Sequence, residues 1–130
     1  MDAATAFSPG KDELLFVPLG GAGEIGMNLN LFCCDGQWLM VDLGITFGDE
    51  TTPGIEVIMP DHAFIAERRD DLLGLVLTHA HEDHIGAVPY LWPQLRCPIY
   101  ATPFTAAMVR PACALAARHR LKLRLPFSRK

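Results

Sequence analysis

From Met27 the chain alternates, with apolar Met27, Leu29 and Leu31 separated by Asn28 and Asn30, the period of two that marks a strand with one buried face. Asp35-Gly36 follows as a tight reversal, and QWLMVDLG returns as a second strand, so the stretch predicts a hairpin. Upstream, LLFVPL (14–19) predicts a short strand ending at glycines. Downstream, ITFGDETTPGIEVIMPD reads as loop, and HAFIAERRDD as a short helix capped by Asp61. LLGLVL from Leu72 is a buried strand that runs straight into a group of histidines. IGAVPYLWPQL suits a short helix and CPIYA a strand. TPFTAAMV predicts a helix with Thr102 as N-cap and Pro103 at its first position, broken at Pro111. Strands and helices alternate from the hairpin onward, which predicts an α/β layered domain.

Length and charge refine this picture. A chain of 130 residues, half of them hydrophobic, is the size of one domain and can bury a real core. The start, MDAATAFSPGKDE, carries acids and no apolar run, and no apolar run elsewhere is long enough to span a bilayer. The expectation is a cytoplasmic protein with no membrane association. Cys33 and Cys34 are adjacent while Cys97 and Cys113 stand alone, a spacing that forms neither a zinc ribbon nor a disulfide framework and predicts plain thiols. All 15 acidic residues lie at or before Asp83, whereas eight of the 11 Lys and Arg lie after it. No carboxylate side chain follows, which limits the chemistry that the later residues can supply.

GAGEIG, Gly21 to Gly26, fits the G-x-G-x-x-G pattern after a predicted strand and raises a dinucleotide site. That fingerprint needs a helix opening at its last glycines to meet a pyrophosphate. Here the following residues alternate as a strand, so the pattern reads instead as a glycine loop that allows close backbone approach.

The stretch LTHAHEDHIGA (77–87) carries the strongest chemical signal, five ionisable side chains among the six residues from His79 to His84. In extended backbone His79 and His81 point to the same side and can reach one metal. A helix beginning at Asp83 presents Asp83 and His84 to a neighbouring position, giving half of a two-metal site. Neutral imidazole is a good zinc ligand, and the carboxylate can coordinate a second ion and orient the water between them. Paired ions in such sites lie about 3.5 to 4 Å apart and lower the pKa of bound water to about 7. HEDH is not the zinc-protease H-E-x-x-H, since its histidines are one residue too close. Lone His62 and His119 read as ordinary polar residues.

THAHEDHIGAVPYL resembles the signature of the metallo-β-lactamase fold. Together with FVPLGGAGEIGMN, VDLGITF, IMPD and IYATPFTAA, in that order, it resembles the N-terminal part of bacterial ribonuclease J. The resemblance covers about residues 14 to 109, between an N-terminal tail (1–13) and a divergent basic tail (110–130). It implies an αββα sandwich of which this chain holds the first half. It also implies metal-dependent hydrolysis of RNA, by 5′-to-3′ exonuclease and endonuclease action in RNA processing and decay, with RNA as partner and homo-oligomers in the full-length family. By the same resemblance His79 and His81 bind one zinc, Asp83 and His84 the other, with manganese as the alternative ion. Asp83 also orients the attacking hydroxide as the catalytic carboxylate, and Asp42, ending its strand in MVD, braces the metal loop without touching metal. Other metallo-β-lactamase-fold hydrolases, acting on a thioester, lactam or DNA, and a non-catalytic metal-binding fragment are the competing readings.

Family members continue into a second half of the domain and an inserted domain that supply a further histidine and a metal-bridging aspartate. After His84 this chain has only His119 as an imidazole and no Asp or Glu. The resemblance therefore implies an incomplete two-metal site, weak zinc binding and near-inactivity of this chain alone, with the apolar faces of LLGLVL and CPIYA partly uncovered. The tail RPACALAARHRLKLRLPFSRK no longer resembles the family. Its Arg, Ala, Leu and Pro content is what a shifted reading frame in GC-rich DNA produces, so a truncated or frameshifted product is expected in preference to an evolved RNA-binding tail.

Overall fold

The hairpin forms where the alternation puts it. In the computed structural model, which describes residues 9–116 and 123–124, strands β1 (Leu14–Gly20), β2 (Leu29–Cys34) and β3 (Gln37–Val41) are antiparallel neighbours. Asp35 and Gly36 between β2 and β3 both have positive φ, 49° and 75°, the backbone that a two-residue type I′ connection requires. Leu29, Leu31 and Cys33 on β2 and Trp38 and Met40 on β3 are buried, with Leu31 opposite Met40 and Cys33 opposite Trp38.

The stretch expected as loop holds a small antiparallel ribbon, β4 (Thr46–Phe47) with β5 (Val57–Ile58). Two residues per strand are too few to leave a periodic trace in sequence. Helix α1 (Ala63–Ala66) is a single turn, shorter than expected, followed by a 3-10 turn at Arg69–Asp71. Asp61 accepts the Ala63 N–H at 2.9 Å from one position before the cap. Next come β6 (Leu72–Val76), α2 (Glu82–Ile85), α3 (Val88–Leu95), β7 (Ile99–Tyr100), α4 (Pro103–Ala116) and β8 (Leu123–Arg124).

The expected single helix after the histidines is thus two, α2 and α3. Thr102 caps α4 as expected, its hydroxyl accepting the Thr105 N–H at 3.3 Å. Pro111, expected to break this helix, lies inside it. A proline removes one hydrogen bond and bends a helix, and the buried Val109 and Cys113 on either side of it hold the helix together across the defect. The boundary drawn at residue 110 consequently falls within α4. Apart from β8, the rest of the basic tail, His119 included, lies outside the described residues.

One mixed sheet in the order β1-β2-β3-β6-β7-β8 carries these elements, antiparallel through β3 and parallel from β3 to β8. The α/β class is as expected. The core joins Leu29, Leu31, Met40, Leu75 and Ile99 to Ile65 of α1, Leu91 and Trp92 of α3, and Ala106 and Val109 of α4. LLGLVL and CPIYA, expected to be partly uncovered, have fully buried Leu75 and Ile99 beside an exposed Leu73 and half-buried Val76, Pro98 and Tyr100. Leu14 and Phe16 on the edge strand β1 are also exposed, and Phe16 packs on Phe32 at 5.1 Å between ring centroids. Among the described residues no helix is long and apolar enough to cross a membrane.

All four thiols are free, with Cys34 exposed and Cys33, Cys97 and Cys113 buried. Burial pushes the Cys97 thiol from 9.0 up to about 11. Because the unfolded thiol ionises first, the contribution of neutral Cys97 to stability is complete below pH 9.0 and is lost as pH rises towards 11. At pH 8, thiol labelling of the folded chain should modify Cys34 readily and Cys97 only at the rate of unfolding; comparable rates would show that Cys97 is not packed as described.

Candidate metal centre

The site forms at the carboxyl ends of two adjacent parallel strands, a common place for a ligand in an α/β sheet. Val41 of β3 lies beside Val76 of β6, and the Asp42 N–H extends the ladder to the Val76 carbonyl at 2.8 Å. At Asp42 the backbone turns left-handed, φ 64°, a conformation that Asp tolerates better than most residues. That turn drives the carboxylate inward, to 4 % exposure. There Oδ1 accepts the Thr78 backbone N–H at 2.8 Å, and the Thr78 hydroxyl lies 3.0 Å from Oδ1 and 2.8 Å from Oδ2. His84 Nδ1 lies 2.7 Å from Oδ2. A carboxylate only accepts, so His84 carries a proton on Nδ1, and its neutral form keeps a lone pair on Nε2.

The histidine loop is held by its backbone as well. The segment after Asp42 runs along the one-turn helix α2, with Leu43 N–H donating to the His84 carbonyl at 2.8 Å and Ile45 N–H to the Glu82 carbonyl at 3.1 Å. Asn28 N–H donates to the Asp83 carbonyl at 3.0 Å, and Asn28 Nδ2 donates to that same oxygen at 3.0 Å. Gly44 makes this approach feasible, because a Cβ there would overlap the Asp83 carbonyl. The Gly21–Gly26 loop serves the same end: Gly21 and Gly26 have φ of 85° and 99°, and a Cβ on Gly21 would strike the Asn28 side chain. With β2 following it, this loop packs as the sequence indicated and opens no dinucleotide-binding helix.

Four of the expected site residues meet. The His79 ring lies 4.0 Å from that of His84 and 4.6 Å from that of His81, centroid to centroid. Asp83 Oδ2 sits 3.3 Å from His84 Nε2. His79 and His81 are exposed and His84 and Asp83 half-buried, next to an open cavity of about 500 Å³ that runs from His79 and His81 to Phe104 and Met108 on α4. The His79 ring is edge-on to that of His81, at 72°, and tilted 47° to that of His84. Among the described residues no three histidine, cysteine or carboxylate side chains converge as a ready ion site. The donor chemistry nonetheless fits a divalent ion of the zinc class: imidazole nitrogens with one carboxylate, and a His84 Nε2 lone pair beside Asp83 Oδ2 with no strong donor between them, Asn28 Nδ2 being 3.4 Å from each. Asn28, Thr78 and Gly44 were not singled out in sequence. Thr78 stands directly before the histidines and Asn28 directly after the glycine loop, but only the folded contacts reveal their roles.

Residues 31–112 match the family model of the metallo-beta-lactamase superfamily, and the chain belongs to that superfamily. Within it the chain is similar to ribonuclease J of Sinorhizobium meliloti, 53 % identical over 102 residues that make up 75 % of this chain and 18 % of that protein. It is also similar to ribonuclease J of Mycolicibacterium smegmatis, 46 % identical over 106 residues, 80 % of this chain and 18 % of the relative. The chain therefore spans about a fifth of the length of these relatives. The fold is similar to that of the short form of human tRNase Z, with a TM-score of 0.52 at 16 % identity, covering 88 % of this chain and 46 % of that one.

Removing the Asp42 carboxylate leaves the partly buried Thr78 amide and His84 Nδ1–H without their acceptor, and an unpaired group of this kind costs about 1–3 kcal/mol. Asp42→Ala should destabilise the chain by about 3 kcal/mol or more in urea unfolding. A change within ~0.5 kcal/mol, the usual range for surface positions, would contradict the bracing role.

Proposed function

We propose that this chain carries the histidine-loop part of a metal-dependent ribonuclease that hydrolyses RNA phosphodiesters, as a ribonuclease J. One observation carries the reading: His79, His81, Asp83 and His84 gather at one strand end in a chain 53 % identical to a ribonuclease J over 102 of its residues. A match of that length within 130 residues has to include the loop. The exonuclease and endonuclease modes, a role in RNA processing and decay, and a cytoplasmic location belong to the same proposal.

In this reading His79 and His81 hold one ion and Asp83 and His84 a second, zinc or manganese. The chemistry such ions supply when bound is a nucleophile drawn from water at neutral pH and neutralisation of charge on the phosphoryl oxygens. The chain's own residues supply position. Asp42 fixes the His84 ring, Asn28 anchors Asp83 through its carbonyl, and the half-exposed Asp83 carboxylate orients the attacking water. In this reading these residues hold metal weakly by themselves, since no three donor side chains converge among the described residues.

Two measurements test this. Zinc retained by the 130-residue chain after dialysis should fall to background with His79→Ala and His81→Ala together. Residues 14–109 exchanged into the matching part of the S. meliloti ribonuclease J should give a chimaera that degrades 5′-monophosphorylated RNA, with Asp83→Ala lowering the rate at least ~100-fold, the scale of a lost catalytic group. A folded, zinc-loaded chimaera without RNA cleavage would refute the ribonuclease reading.

A further inference from the structure

We infer that Thr78 is a positioning residue that relays the Asp42 carboxylate to His79, so that one buried carboxylate sets the tautomers of two metal-loop histidines. Thr78 Oγ1 lies 2.8 and 3.0 Å from the two Asp42 oxygens and 2.9 Å from His79 Nδ1. A hydroxyl has a single proton to give. Were it given to His79 Nδ1, the threonine oxygen would face both carboxylate oxygens, at 2.8 and 3.0 Å, with lone pairs only, a repulsive contact. The proton therefore goes to Asp42. Thr78 Oγ1 is then an acceptor on its other side, and the contact with His79 is attractive only if Nδ1–H donates. His79 is left with its lone pair on Nε2, the same tautomer that Asp42 imposes directly on His84.

The consequence lies in how the loop is prepared. A histidine free to choose its tautomer spends part of its time with the wrong nitrogen protonated, and an outer hydrogen bond that fixes the choice typically strengthens metal binding 10- to 100-fold. Thr78 does this while its backbone N–H also anchors Asp42. Threonine is suited to the relay: it is short enough to reach the carboxylate from the next strand end and places a hydroxyl beside the following residue's ring. His81 has no such partner among the hydrogen bonds of the described residues, so the device separates His79 and His84 from His81.

The inference rests on the metal-binding reading for its purpose, but its test needs no metal. Long-range proton–nitrogen spectra of the metal-free, ¹⁵N-labelled 130-residue chain at about pH 8, above the ordinary imidazole pKa of about 6.5, report each tautomer directly. His79 and His84 should both show protonated Nδ1. His79 with its proton on Nε2 would overturn the relay outright, without any variant. Thr78→Ser should leave both tautomers unchanged. Thr78→Val should release His79 to a mixture while His84, bonded to Asp42 itself, keeps Nδ1–H; a shift at both rings would show that Thr78 merely supports Asp42, and a shift at neither that the hydroxyl is idle. Zinc titration of the same proteins should show roughly 10-fold weaker binding for Thr78→Val and recovery in Thr78→Ser. If the wild-type tautomers are as stated but no protein binds zinc, the metal reading fails while the relay stands.

Discussion

Asp42 sits in a left-handed turn at the end of β3, almost out of solvent, and its two oxygens take hydrogen bonds from the Thr78 amide and hydroxyl and from the His84 ring. A buried carboxylate is costly unless it is fully bonded, so the chain can bury Asp42 only by bringing the end of β6 and the start of α2 to it. The parallel pairing of β3 with β6 supplies the first approach, since Val41 and Val76 are already neighbours. The backbone ladder from Leu43 and Ile45 to α2 supplies the second. Sheet register, turn and histidine loop are thereby one arrangement.

The same arrangement explains residues that have no chemistry of their own. Gly44 is required because the 42–45 segment presses on the Asp83 carbonyl, and Gly21 because the glycine loop closes on Asn28. Asn28 in turn joins β2 to Asp83 through both its amide and its side chain. Position is thus transmitted to the donor atoms through backbone groups, which move less than long side chains. Glycine-rich sequence near the front of the chain and the histidine cluster some fifty residues later are two sides of one contact.

Local physics made much of this legible. Asp35-Gly36 needed nothing beyond its own turn preference, and the alternation through Leu29 and Leu31 needed only one buried face. The histidine loop announced itself by composition, and family resemblance pointed to Asp42. What escaped reading depends on partners distant in sequence. β4 and β5 exist because Thr46 and Ile58 meet, and α4 runs through Pro111 because flanking residues are buried against the core. Thr78 and Asn28 look like any strand-end polar residues until Asp42 and Asp83 are placed beside them.

If the buried carboxylate and the backbone ladder organise the histidine loop, the loop is ordered before any ion arrives. Native-state hydrogen exchange of the metal-free chain measures this residue by residue. The amides of Asn28, Leu43, Ile45 and Thr78 should exchange as slowly as those of Leu31 and Met40 in the sheet, with the same dependence on denaturant, because the loop opens only when the sheet does. Fast exchange at these four amides while Leu31 and Met40 remain protected would show that the loop is loose without metal and that Asp42 does not organise it.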